Sequence, residues 1–359
     1  MVLQGGTAGS PTLSDLRRAP KVLLHDHLDG GLRPSTIVDL AERDGFRDLP
    51  THDPEALASL IRDGARRRSL ELYLDMFRYT AGVMQTTEAL YRVAAECAED
   101  LAGEGVVYAE VRFAPELHTA GGLDLDAILR AVIAGFHDGS KGHGIRVGTI
   151  ATAMRTGTSS MEVAEAALRH RDRGVVGFDI AGPEAGYPPA QHIAAFNLLR
   201  RQRFPYTIHA GEAYGLPSIR EAVHLCGTHR IGHGLRIVDD IGALGALGPL
   251  ASYVRDRPIT LEMCPTSNVH IGAAEGISAH PIGRLLEEGF AVTVNTDNRL
   301  MSGTSPTREF ELCRTAFAWS WDDLRRLTVN AMEAAFLPRD EKQEIITGVI
   351  DPWYASRVV

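Results

Sequence analysis

Lysine is the scarcest charged residue in this chain of 359: Lys21, Lys141 and Lys342 are the only three. None of them follows the fourth of the β-rich segments identified below, which excludes a two-metal centre bridged by a carbamylated lysine. Cysteine is also sparse. Cys97, Cys226, Cys264 and Cys313 lie far apart with no Cys-x-x-Cys pair, so neither a zinc ribbon nor a dense disulfide framework is present, and the four read as reduced thiols. No apolar run approaches the ~18 residues of a membrane span, and the stretch from Met1 to Pro20 lacks the apolar core of a signal peptide. Cytoplasm is the expected compartment.

Acidic residues outnumber basic ones, 46 to 37, giving a net charge of −9. A surface of that sign argues against nucleic acid or an anionic membrane as the partner. With 44% hydrophobic and 23% charged residues the chain has the composition of an ordinary globular protein with a large core. Residues 1–19, rich in Gly, Ser, Thr and Pro, read as a flexible arm, and residues 20–359 as a single domain, since no linker interrupts them.

Beyond the arm, short β-branched runs recur at Val22–Leu24, Val106–Phe113, Ile145–Ala151, Val175–Ile180, Tyr206–Ile208, Arg230–Ile231, Ile259–Met263 and Ala291–Val294. Helix-like stretches rich in Ala, Leu, Glu and Arg separate them, as at Ala89–Ala102, Leu125–His137, Met161–Arg173 and Pro188–Arg201. Eight strands alternating with helices predict a (β/α)8 TIM barrel. The rival, a doubly wound sheet that binds a dinucleotide, should show Gly-x-Gly-x-x-Gly after a strand, and Gly232-His233-Gly234 lacks the third glycine. Thr307–Phe317, Asp322–Phe336 and Arg339–Val349 predict extra C-terminal helices. Residues 31–105, between the first two strands, are where a barrel inserts a lid. There Leu70, Tyr73, Leu74 and Phe77 fall at i, i+3, i+4 and i+7, one helix face that serves either the core or a lid.

Polar clusters end four of the strands. His25-Asp26-His27 closes the first, and residues two apart on a strand share a face, so both imidazoles can reach one ion. His209-Ala210-Gly211-Glu212 closes the fifth, Gly232-His233-Gly234 the sixth, and Asn295-Thr296-Asp297-Asn298 the eighth. Barrel active sites lie at that carboxyl-terminal face. Three imidazoles and a carboxylate suit Zn2+ with one position open, and we assign His25, His27, His209 and Asp297 as its ligands. His233 is kept free to stabilise the attacking hydroxide, between glycines that allow a substrate to approach closely. Glu212 is the candidate acid. Other hydrolase signatures are missing: no Gly-x-Ser-x-Gly elbow, no His-Glu-x-x-His helix, no phosphate-binding loop and no Pro-Cys-x-x-Cys metal site.

The runs Pro20–Gly30 (PKVLLHDHLDG), Gly177–Gly182 (GFDIAG), His209–Glu212 (HAGE), Ile231–Gly234 (IGHG) and Asn295–Asp297 (NTD), in this order and spacing, resemble the adenosine deaminase family. The resemblance runs from about Pro20 to the end of the barrel. It implies one Zn2+ per chain and conversion of adenosine or 2′-deoxyadenosine to inosine or 2′-deoxyinosine and ammonia, a step of purine salvage. By position, Glu212 would protonate purine N1, His233 would orient the hydroxide, and Asp297 would bind zinc and take the proton of water. The backbone of Gly182 would contact N3, Asp29 the ribose 5′-hydroxyl, and His27 would also border the substrate. The family's apolar gate falls on Leu70, Tyr73, Leu74 and Phe77. Asn298 stands where many members carry a second aspartate facing N7, and its amide can donate there without needing a proton. Adenine deaminase and aminodeoxyfutalosine deaminase would share this chemistry with a different group at N9. AMP deaminase would need a basic phosphate cluster, which is missing, and a non-catalytic purine binder would need neither Glu212 nor His233.

Overall fold

The computed structural model describes residues 11–243 and 245–357. Eight parallel strands appear where the apolar runs predict them: β1 (Lys21–His27), β2 (Val106–Phe113), β3 (Arg146–Met154), β4 (Val175–Ala181), β5 (Thr207–Ala210), β6 (Arg230–His233), β7 (Thr260–Met263) and β8 (Val292–Val294). They form two four-stranded sheets, β1-β2-β3-β4 and β5-β6-β7-β8. Isolated parallel bridges join the sheets at Phe178–Tyr206 and at Asp26–Asp297. The result is a TIM-barrel-like α/β fold, with strands covered by helices and therefore buried on both faces. Along β1 every residue but His27 is buried, which is why the strands read as apolar runs rather than as alternation.

Helices begin where a short polar side chain can accept the first free amides. Thr86 caps Thr87–Gly103 and Asp124 caps Leu125–Ser140. These two helices pack at very close range, because a Cβ on Gly135 would stand 2.2 Å from the Tyr91 carbonyl oxygen and one on Gly139 2.3 Å from that of Ala95. At the C-terminal end, Pro306–Phe317, Trp321–Ala334 and Arg339–Ile345 follow the eighth strand, and Trp321–Ala334 packs against β8 and β1, covering the seam between the sheets. Among the described residues no helix is long and apolar enough to cross a membrane.

The expected arm, residues 1–19, is more structured than its composition suggests. Residues 1–10 lie outside the described residues, but Leu13–Arg18 is a helix with a reciprocal capping box between Thr12 and Asp15, and its Leu16 is buried. Its C-terminal end is tied down by Lys21, whose buried Nζ donates to the carbonyls of Leu16 (2.5 Å), Ala19 (2.9 Å) and Glu104 (2.7 Å).

Candidate active site

The four expected ligands converge at the carboxyl-terminal ends of β1, β5 and β8. Donor atoms of His25, His27, His209 and Asp297 lie within 4.8 Å of one another. Asp297 Oδ1 is 3.4 Å from the Nε2 atoms of both His25 and His27, and His27 Nε2 is 3.3 Å from His209 Nε2. Each ring is aimed by a hydrogen bond at its other nitrogen where a buried carboxylate stands behind it. His25 Nδ1 donates to Glu262 Oε2 at 2.9 Å, and His209 Nδ1 to Asp179 Oδ2 at 3.0 Å. This fixes the proton on Nδ1 and leaves the Nε2 lone pairs facing one another. Such an arrangement is costly unless a cation takes them, and His25 Nε2 is indeed buried without a partner. Three imidazoles and a carboxylate form a donor set of the kind that zinc prefers, so the residues fit a metal.

Beneath this cluster the barrel interior is ionic rather than apolar. Arg112 Nη2 donates to Glu262 Oε2 (2.7 Å) and its Nη1 to Asp179 Oδ2 (3.0 Å). Arg230 Nε donates to Glu262 Oε1 (2.6 Å), and its Nη2 lies 2.6 Å from Glu110 Oε2. Burial by itself would raise the Glu262 carboxyl, but the guanidiniums of Arg112 and Arg230 hold it well below its ordinary value. Asp179, opposed by the same desolvation, is held at about 2 by His209 and Arg112. Three carboxylates thus face two guanidiniums, and the excess negative charge lies directly under the imidazoles.

Glu212 and His233 adjoin these four donors. Glu212 is buried, and desolvation, followed by the negative charges of Asp297 and Glu184, pushes its carboxyl well above the usual 4.5. That favours a protonated acid. Its loop is held by Glu184, whose buried carboxylate accepts the backbone N–H groups of Gly211, Glu212, Ala213 and Tyr214 at 2.5–3.1 Å. His233 Nε2 lies 3.5 Å from Glu212 Oε1. His233 and Asp297 both take left-handed backbone conformations, with φ of 62° and 58°, a strain that concentrates at functional positions. The glycines beside His233 also fit closely against neighbouring protein. A Cβ on Gly232 would press on His209 and the His25 ring at 3.2 Å, and one on Gly234 on Leu261 at 2.8 Å. They make room for neighbouring protein at these points.

Two adjoining cavities open beside these groups. One, of about 40 Å³, is lined by Leu70, Tyr73, Leu74, Phe77, Gly182, Glu212, His233, Asp297 and Asn298 among others. The second, of about 140 Å³, is lined by His27, Asp29, Leu74, Phe77, Ala114, Leu117, Thr152, Met154, Ala181 and Gly182. The expected single helix over Leu70–Phe77 is broken: Leu70–Leu74 and Phe77–Val83 are separate helices joined at Asp75 and Met76. The tight turn keeps all four side chains on the cavity, although Leu70 and Tyr73 are buried and the Tyr73 hydroxyl bonds Ser302 Oγ at 2.9 Å. Asp29 is buried; desolvation raises it to about 7, its Oδ1 has no partner, and Oδ2 stands 4.0 Å from His118 Nε2. Asn298 Oδ1 is likewise unpartnered, and its amide occupies the space a side chain at Gly30 would take.

The sequence reading overlooked the supporting residues. Glu262, Asp179 and Arg112 orient the imidazoles, Glu184 clamps the Glu212 loop, and Ser267 donates to Asp297 Oδ2 at 2.6 Å. Their one sequence signal is a charged residue inside a strand that must be buried on both faces, which marks Arg112, Asp179 and Glu262 but not Glu184 or Ser267.

Known proteins match this chain over nearly its whole length. The family model described as adenosine deaminase matches residues 20–352. An adenosine deaminase of Mycolicibacterium vanbaalenii is 56% identical over 97% of this chain and 98% of its own. Adenosine deaminase 1 of Streptomyces coelicolor is 56% identical over 97% of this chain and 90% of its own. Among solved structures, adenine deaminase from Arthrobacter aurescens superposes with a TM-score of 0.84 at 26% identity, covering 95% of this chain and 99% of its own. With the family model matched from residue 20 to 352 and relatives of this identity, the chain belongs to the adenosine deaminase family.

Proposed function

We propose that the protein deaminates adenosine and 2′-deoxyadenosine hydrolytically, with one Zn2+ per chain held by His25, His27, His209 and Asp297, in a single domain spanning residues 20–359. The observation that carries the reading is Glu212: a buried carboxyl whose hold on its proton is strengthened by burial and by the carboxylates of Asp297 and Glu184, beside a cluster of metal donors, is what a purine ring needs before water can add. When bound, the metal supplies Lewis acidity that makes water nucleophilic near neutral pH. Glu212 gives its proton to N1, which removes aromatic character from the ring and leaves C6 electrophilic. His233 holds the oxygen that attacks C6, and Asp297, steadied by Ser267, receives the proton that oxygen gives up. The C6–N bond then breaks, the amino group leaves as ammonia with that proton, and the C6 hydroxyl gives its remaining proton back to Glu212, leaving C6=O and N1–H.

The purine fits against Glu212, His233 and Asn298, with the Asn298 amide toward N7 and the Gly182 backbone toward N3. The ribose extends into the larger cavity toward His27 and Asp29. Among the described residues no lysine or arginine lines that cavity, which favours a nucleoside over a nucleotide, and the unpartnered Asp29 oxygen favours a sugar hydroxyl over free adenine. Leu70, Tyr73, Leu74 and Phe77 act as a lid, with the Phe77 ring edge-on to His27 at 6.5 Å. The test is the loss of adenosine absorbance on adding protein, repeated with 2′-deoxyadenosine, adenine and AMP. Turnover of adenine or AMP in preference to both nucleosides overturns the assignment.

A further inference from the structure

A chain of three hydrogen bonds leads from the backbone of Ile282 to the far side of His233. The Ile282 N–H, which can only donate, lies 3.2 Å from His280 Nδ1. That nitrogen therefore accepts, and the proton of the neutral ring sits on Nε2. His280 is buried, and desolvation lowers it to about 3, so it stays neutral. Its Nε2 is 3.1 Å from Asn268 Oδ1, and an N–H there requires the amide oxygen to face it. The amide is thereby oriented, and its Nδ2 lies 3.1 Å from His233 Nδ1. An amide NH2 has no lone pair to offer, so His233 Nδ1 must accept.

We propose that Asn268 and His280 are positioning residues that set the tautomer of His233, so that its Nε2 carries the proton and presents a donor to the attacking oxygen. The inference rests on the deaminase reading for the identity of that oxygen, but the direction of the relay does not. With Nε2 already protonated, His233 has no lone pair with which to deprotonate water. It holds the oxygen by one N–H and leaves the oxygen's lone pair for C6, while proton acceptance falls to Asp297.

The decisive measurement is the two-bond 1H–15N correlation pattern of the imidazoles in zinc-loaded protein labelled with 15N-histidine, with His233 assigned from the signals lost in His233→Gln. A protonated Nε2 and an unprotonated Nδ1 are expected at His233, and the opposite pattern overturns the proposal. Asn268→Asp keeps the shape but supplies only acceptors, so it should invert the pattern. Loss of a positioned donor of this kind typically costs ~10²–10³ in kcat, with KM changed much less. His280→Leu should give a mixture of tautomers, and His280→Gln, whose amide can donate to Asn268 Oδ1, should restore the single one. An inverted pattern in Asn268→Asp with kcat within threefold of wild type also overturns the role. If the variants fail to fold, the wild-type spectrum still decides. A protein that shows the expected tautomer but leaves adenosine intact refutes the deaminase reading and not the relay.

Discussion

Replacing Glu212 by Gln separates the acid from everything else the residue does. The amide has nearly the same shape and should keep the loop in place, because the Glu184 clamp holds backbone rather than side chain. What disappears is a proton for N1. General acid catalysis is worth ~10²–10⁴ in rate, or about 2.7–5.5 kcal/mol of barrier at 1.36 kcal/mol per factor of ten. The same substitution has an effect on stability with a definite sign. Glu212 has a folded value raised above 4.5 by burial and by Asp297 and Glu184, so between the two values the folded protein binds a proton that the unfolded chain has released. Wild-type stability is complete below 4.5 and declines as pH rises toward the folded value, by up to ~1.4 kcal/mol per unit. Glutamine has no such ionisation. In urea titrations of metal-free protein between pH 6 and 8, Glu212→Gln should therefore be the more stable protein, with the gap widening as pH rises. Steady-state rates should show kcat lowered by at least two orders of magnitude, with the alkaline limb of kcat/KM lost. A variant with kcat within tenfold of wild type, or a stability gap that narrows with pH, refutes Glu212 as a buried proton donor.

Metal analysis should find one zinc per chain, and chelation should abolish turnover while circular dichroism stays near native, because a barrel core of this size does not depend on one ion; two equivalents, or activity in verified metal-free protein, contradicts this. Phe77→Ala and Leu74→Ala should raise KM for adenosine by about tenfold, the value of ~1–3 kcal/mol of apolar contact, with kcat little changed. A loss of ~2–5 kcal/mol in folding stability at unchanged KM would make those side chains packing and not lid. A 7-deaza analogue of adenosine should lose ~1–3 kcal/mol in kcat/KM if Asn298 donates to N7, and Asn298→Asp should make the pH profile narrower by adding an ionisation beside Asp297; equal kcat/KM for the two nucleosides with an unchanged profile refutes that contact.

The parts of this site that could be read in the sequence are those fixed by the alternation of a strand. His25 and His27 are two apart, and β1 places them on one face; His209, His233 and Asp297 each stand at the end of an apolar run, which in a barrel is the mouth. The remainder depends on contacts between distant segments. Glu184 reaches residues 27 to 30 positions further on, and His280 acts on His233 only through Asn268. No local pattern announces either. The left-handed conformations of His233 and Asp297 were hidden because neither residue is glycine, and the break in the helix over Leu70–Phe77 falls at Asp75 and Met76, where no proline or glycine marks it. The capping box of Thr12 and Asp15 was present in the sequence, but the Gly-, Ser- and Pro-rich residues around it outweighed it.

The two sides of the site are held by different physics, and this bears on how substrate choice can change within the fold. On the side of the imidazole cluster, His25 and His209 are oriented by Glu262 and Asp179, and both carboxylates share Arg112. Removing any one of these strands a buried charge, at a cost of the order of 3–5 kcal/mol, so the cluster tolerates little alteration. On the side where the N9 substituent would lie, the lining is Ala114, Leu117, Thr152, Met154 and Asp29, and apart from Asp29 none of these is charged. A change of size there alters the cavity without disturbing an ion network. Substitutions at Leu117, Thr152 or Met154 should therefore change which N9 substituent is accepted while leaving the ion network beneath the imidazoles undisturbed.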